Sequence, residues 1–385
     1  MELYSWFFAV SVYQLQFFTV YVYVKFKCLT MSTLFRNSFF DYFWVKEPLN
    51  TPKIADYFMN HTIETIVMLC INFTLATLTI HVIWTQSAKL DSFKYYIWNQ
   101  FVVSQAFEFG LLVHSPVLLS PYVANYSAGI FAIFLTDQLL YLSAFLTYAL
   151  YLHVSTSVFL SLFNRFVFIF RPDLKEWLHK KKTLSFIAFF HLFFDALFAL
   201  SAWGPVLDDE TTEQRARKEA SDSLDRWIHE KSFQYVPEYF GRTRAFIFLV
   251  LCVLVCLFFT LIVIVIWFIV NVFILKKTSQ TLDNYSSYLL ITVLVQTGAS
   301  LVFFFLPAIV IAFCWAFAIE NSGNVVNVAL HVFIFNSILD MLIMMYFVKP
   351  YKLYLIGILR KVLRLKTHPS AIVFSTTHQT SSVFQ

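Results

Sequence analysis

The sequence predicts an all-α polytopic membrane protein: a seven-transmembrane helix bundle with a possible extra hydrophobic segment at the amino terminus. Three observations carry this. Of 385 residues, 59% are apolar and 13% charged, and the mean hydropathy is +0.68. Soluble domains run at about 45–50% apolar and about 25% charged. The 47 Phe, 20 Tyr and 9 Trp are too many to hide in soluble cores. The apolar residues also fall in long unbroken runs, and about 20 such residues cross a hydrocarbon core. A soluble enzyme is thereby excluded, as is a disordered chain, which needs low hydrophobicity and high charge. Seven Gly and ten Pro exclude collagen-like or linker-dominated chains.

Residues 1–30 form the first segment. Positions 5–24 are apolar and aromatic and are followed by Lys25 and Lys27, but Glu2 stands where a secretory signal carries its basic start. An eighth span, an atypical signal peptide and an interfacial segment all fit. Residues 31–64 then form an extracellular amino-terminal region. The receptor-like domain, 65–348, contains seven candidate spans at 65–84, 95–120, 129–164, 183–203, 246–275, 288–317 and 324–348. In lipid the backbone satisfies its own hydrogen bonds, so these runs are helices. A β-barrel is disfavoured, because the runs lack period-2 alternation. The third run is long and uninterrupted, which fits one tilted helix projecting past the bilayer. Residues 349–385 form a cytoplasmic tail, in which 351–364 reads as a short amphipathic helix at the headgroup layer.

Orientation follows from Lys and Arg in the connections. With the amino terminus outside, the inner stretches 85–94, 165–182, 276–287 and 349–385 carry 16 basic and 4 acidic residues. The outer stretches 31–64, 121–128, 204–245 and 318–323 carry 10 basic and 14 acidic. The sequons at Asn60 and Asn125 both fall outside and are candidate glycosylation sites. Within the long outer loop 204–245, the stretch from Glu213 to Arg226 reads as a solvated charged helix with i,i+4 pairs such as Asp222–Arg226. Four of five Cys lie in apolar runs without CxxC spacing, so they read as packing residues and no metal site is expected.

Three stretches resemble the nematode serpentine chemoreceptors, specifically classes H and I of the Str superfamily. They are Ala88-Lys89-Leu90-Asp91-Ser92-Phe93-Lys94-Tyr95-Tyr96, then Ser115-Pro116-Val117-Leu118-Leu119-Ser120-Pro121 with Gly129 following, and Lys349-Pro350-Tyr351-Lys352, where the family ends in Pro-Tyr-Arg. Asn164-Arg165 is similar to the family's Asn-Arg pair. The likeness covers about 60–350, and it rests on the spacing of short motifs. The loop 204–245 is longer and more charged than the family's, and 1–30 has no family counterpart. The resemblance implies a G-protein-coupled receptor for a small-molecule ligand that signals through a heterotrimeric G protein. It further implies a role in olfaction and sensory perception, at the plasma membrane of the sensory cilium. Neither nucleic acid nor a cofactor is implied as a partner; the lipid bilayer is.

Ionisable groups within spans are costly, so each needs a reason. Glu108, Asp137, Asp195 and Asp340 are such groups. Helix geometry puts Asp137, His114 and His331 at one depth, about 9–12 Å below the outer end, with Glu108 deeper, at about 18 Å. Tyr141 lies one turn below Asp137 on the same face. Asp137, Tyr141, Glu108, His114 and His331 are therefore the candidate ligand-binding residues. Polar contacts between helices explain such groups equally well. Asp340, Pro307, Pro350 and Tyr351 are candidate structural or switch residues, with Pro307 expected to kink the sixth span. Arg165, Arg171, Lys180, Lys181, Lys182, Lys276 and Lys277 form the candidate G-protein-facing surface, although positive-inside charge alone would place them there. HExxH, GxGxxG, Walker and GxSxG motifs are absent, so no enzyme activity is expected. An ion channel or secondary transporter using the intramembrane acids is the alternative.

Overall fold

The computed structural model describes residues 38–86, 93–129, 134, 137–170, 180, 182–183, 185–186, 188–189, 191–193, 196, 212–230, 232–278 and 285–363. The calls on residues 1–30 and on 364–385 lie outside them. Two short helices, α1 (Ser38–Phe43) and α2 (Asp56–Met59), precede the bundle. The first three spans are α3 (Thr62–Gln86), α4 (Phe93–His114) and α5 (Asp137–Phe170). Helical positions between 182 and 196 belong to the fourth. Then come α6 (Thr212–Ala220), a 3-10 turn (Ser221–Leu224) and α7 (Asp225–Ile228), before the fifth span, α8 (Arg242–Thr278). The sixth span joins α9 (Tyr285–Ser300), a π turn (Leu301–Phe305) and α10 (Leu306–Ala316). The seventh is α11 (Gly323–Phe347), followed by α12 (Lys349–Val362).

Among the described residues, five helical stretches are both long and apolar enough to cross a membrane: Thr62–Gln86, Leu146–Asn164, Arg242–Ile274, Leu294–Ala316 and Gly323–Phe347. The α4 helix is long enough too, but Gln100, Ser104 and Glu108 lower its hydropathy. Those three repeat at i,i+4 and are all buried. Large apolar residues such as Phe73, Phe259, Val263 and Phe273 are exposed. Polar inside and apolar outside is the arrangement lipid imposes, and the chain is a multi-pass membrane protein.

The expected second span overshoots. Helix α4 ends at His114, not at 120, because Pro116 disfavours helical geometry at Ser115, whose φ is 41°. The apolar residues that follow form strands β1 (Pro116–Leu118) and β2 (Ala124–Ser127), paired antiparallel with Val117 opposite Tyr126. A third strand, β3 (Gln234–Tyr235), adds to β2. Hydropathy cannot separate a short buried strand from a helix end. This sheet defines one end of the bundle, hereafter the cap end; α12 lies at the opposite, tail end.

Residues 212–228 are helical as expected, and Glu213, Arg217, Lys218, Asp222 and Arg226 are exposed, but the second correction is that the other face is buried rather than solvated. Ala216, Ala220, Leu224 and Ile228 recur every four residues and, with Trp227 and Phe233, pack onto Val117, Leu119, Tyr122 and Tyr126 of the hairpin. The ion pair that closes there is Arg217–Asp225 at 3.0 Å, and the Arg226 guanidinium lies over the Trp227 ring. The kink expected at Pro307 takes the form of the π turn just before it. A proline there supplies no N–H to the preceding turn, and the wider turn accommodates its ring.

Spans two and three come into close contact at Gly110, where a Cβ would collide with the Thr147 hydroxyl. Gly110→Ala should therefore destabilise the protein by about 1–3 kcal/mol. Combining it with Thr147→Ala should recover most of that loss. Thermal unfolding of the purified single and double variants measures this, and additive losses would contradict it.

Candidate functional site

The cap is bolted to the bundle by side chains that take the place of backbone partners. Asn327, 1% exposed on α11, accepts from Leu118 N–H at 3.0 Å and donates to the Leu118 carbonyl at 2.9 Å. Its amide thus acts as an extra strand beside β1. Ser120 and Ser322 hydroxyls meet at 2.7 Å, and Asn324 accepts from the Ala55 N–H at 2.8 Å. Arg244, fully buried at the start of α8, donates to the Trp315 carbonyl at 2.5 Å and the Pro121 carbonyl at 3.1 Å. It also pairs with Glu238 at 2.6 Å. Within the cap, burial and then Glu230 push the Tyr126 phenol up to about 12. Burial and Glu219 raise Tyr235, whose hydroxyl donates to Glu219 at 2.7 Å. Burial also raises Glu238 against the pull of Arg244.

Below the cap, His61 just before α3 and His331 on α11 lie with ring centres 5.1 Å apart. His61 Nδ1 donates to the Phe58 carbonyl at 2.6 Å, and its Nε2 accepts from the Ser115 hydroxyl at 2.6 Å. His331 Nδ1 donates to the Asn327 carbonyl at 2.9 Å, while its buried Nε2 has no hydrogen-bond partner. Phe58 and Tyr57 rings flank His331. Burial, reinforced by His331, holds His61 below the ordinary histidine range.

The expected ligand cluster is only partly assembled. His114 sits at the very end of α4, not about 9 Å below it, and is buried with both ring nitrogens lacking a hydrogen bond. His114 connects to His331 through the neighbouring Ser115, whose hydroxyl meets His61, and the His61 ring packs on His331. Glu108, 1% exposed, is six residues or about 9 Å below the α4 end, half the expected depth. Its carboxylate oxygens make no hydrogen bond of good geometry, with Ser337 its neighbour. Asp137 and Tyr141 have helical backbone at the start of α5, but their side chains lie outside the described ones. Asp195 lies outside the described residues altogether.

A second polar group lies nearer the tail end. Asp340 of α11 accepts from Gln296 Nε2 of α9 at 2.5 Å and from Gln100 Nε2 of α4 at 3.1 Å. Three spans are thereby tied through one carboxylate. Three residues earlier on α11, Ser337 accepts from Gln105 of α4. These glutamines carry no charge, so an inventory of intramembrane ions does not contain them; for Gln100 the signal is the i,i+4 polar repeat Gln100, Ser104, Glu108.

At the tail end, Tyr351 is fully buried among Val82, Ile97 and Met344, where it wedges α12 against the first, second and seventh spans. His81 and the Tyr354 hydroxyl meet at 2.7 Å. Lys180 and Lys182 are exposed. Arg171 and Lys181 lie outside the described residues, and the side chains of Arg165, Lys276, Lys277 and Pro350 lie outside the described ones. Of the two sequons, Asn60 is exposed. Asn125 is 7% exposed in the central strand beside Gln234, so a glycan there would require the sheet to open. Among the described residues no three His, Cys, Asp or Glu side chains converge as a metal site would require.

The family model described as serpentine type 7TM GPCR chemoreceptor Sri matches residues 51–355, from just before α2 into α12. No curated protein and no solved structure matches.

If Asp340 holds three spans together, Asp340→Ala should cost about 2–4 kcal/mol by leaving two buried amides unmet, and Asp340→Asn should cost less. Ranking the unfolding midpoints of both variants with wild type tests this; equal midpoints would refute it.

Proposed function

Because this chain belongs to the serpentine type 7TM GPCR chemoreceptor Sri family, we propose that it is a chemosensory receptor that binds a small-molecule cue between its helices and signals through a heterotrimeric G protein. The observation that carries this reading is the family match over 51–355, which spans all seven helices. The finer assignment to classes H and I rests on the short motifs at 88–96, 115–121 and 349–352.

The cap end faces outward in this reading. The excess of basic residues in the connections at the opposite end supports it, with 16 basic against 4 acidic residues. The protein then resides in the plasma membrane, in the sensory cilium of neurons. The cue binds beneath the cap, on Glu108, His114 and His331 and on Asp137 and Tyr141 of α5. Hydrogen-bonding capacity left open at Glu108, His114 and His331 supports a polar or ionisable feature on the cue. The G protein docks at the tail end on Arg165, Arg171, Lys180, Lys181, Lys182, Lys276 and Lys277. Asp340, which bridges three helices, and Pro307 are the elements through which the sixth and seventh spans shift.

A reporter-cell screen with volatile and soluble cues, run with and without co-expressed G proteins, tests the proposal. Cue-dependent signalling that requires a G protein is the expected outcome. A cue-evoked current that persists without any G protein would contradict it and favour a channel.

A further inference from the structure

The histidine pair beneath the cap has a feature that cue recognition does not require. A carbonyl oxygen only accepts hydrogen bonds, so His61 Nδ1 and His331 Nδ1 must each carry the proton they donate to Phe58 and Asn327. Both neutral rings are therefore fixed in the same tautomer, with the Nε2 lone pair free of a proton. Anchoring one ring nitrogen to a carbonyl while the other is left as a bare donor is how proteins prepare a metal-ligating histidine. The His331 Nε2 lone pair is buried and unused. That of His61 is engaged only by the Ser115 hydroxyl, which can turn away.

The spacing agrees. With a zinc–nitrogen distance of about 2.0 Å, each ring centre lies about 3.2 Å from the metal, so two rings at a tetrahedral angle sit about 5.2 Å apart. The observed separation is 5.1 Å. Charge agrees as well. Glu64, one turn into α3 from His61, draws cations toward the ring.

We propose that His61 and His331 form a zinc site at the cap end, with water completing the coordination, that clamps the first span to the seventh. Imidazole nitrogen selects a borderline ion such as zinc over calcium or magnesium, which take oxygen ligands. Two protein ligands make a site of modest affinity that responds to the concentration of free zinc. The clamp would bias the equilibrium among helix arrangements; because it uses the His331 Nε2 that the proposed cue site also offers, zinc and a cue would compete there, while the deeper group at Glu108 stays open.

The test is thermal unfolding of the purified full chain in detergent, with zinc chloride alone, and with chelator added afterwards. Zinc at about ten times its dissociation constant should raise the wild-type midpoint by about 3 °C, reversibly. His331→Gln and His331→Asn should both abolish the shift; the ring's hydrogen bond to Asn327 lies within its own helix, and the zinc-free midpoint of each variant reports any loss of its ring contacts to Tyr57, Phe58 and His61. Magnesium should produce no shift. Absence of a zinc-dependent shift in wild type, or its persistence in both variants, would overturn the proposal. Because no cue or G protein enters the measurement, it fails or succeeds independently of the receptor reading.

Discussion

Arg244 is the constraint on which the cap end depends. A guanidinium removed from water costs several kcal/mol unless it is paired and its donors are satisfied. Here one side chain meets the Glu238 carboxylate, the Trp315 carbonyl and the Pro121 carbonyl. Those three partners belong to the loop before α8, the end of the sixth span and the turn between β1 and β2. Trp315 lies in the last turn of α10, where the helix dipole is negative and favours a cation. The charge therefore cannot be satisfied unless the loop, the hairpin and two helices are all in place. Bidentate geometry explains why arginine suits the position and lysine does not.

Behind that anchor, the molecule is organised as a lipid-exposed apolar shell around a polar seam. Lipid gives apolar faces no reason to associate, so close packing at small residues and hydrogen bonds between spans carry the specificity. Gly110 provides the close approach, and Asp340 with Gln100 and Gln296 provides the bonds. The seam has two storeys. Near the cap end, histidines and Glu108 retain unused hydrogen-bonding capacity; near the tail end, Asp340 is engaged by two amides.

Much of this was legible in the amino-acid order. Span positions followed from hydropathy, and helices α3, α8, α9–α10 and α11 begin and end within a few residues of the expected runs. The amphipathic run after Pro350 is helical as its pattern indicated. Tyr351 was marked as structural, and it is buried. The hairpin was not legible as such, since Val117, Leu118 and Leu119 are as apolar as the helix they follow. The packed loop was masked by its charges: Ala216, Ala220, Leu224 and Ile228 form a four-residue repeat, but acids and bases lie between them. Arg244 was read only as one more charge in an outer loop. What distinguishes it is burial and three-way pairing, a long-range property that local sequence does not encode. The depth assigned to His114 and Glu108 failed with the helix end, because each was counted from position 120.

The dependence of the cap on Arg244 is tested most directly by hydrogen exchange on purified wild type and Arg244→Met. The substitution keeps a long flexible side chain while removing the charge, and it leaves Glu238 buried without its partner. The account predicts that amides in 116–127 and 233–236 lose protection by an order of magnitude or more, while those within 93–114 and 323–347 keep theirs. Unchanged protection in the cap, or a uniform loss through every helix, would contradict it.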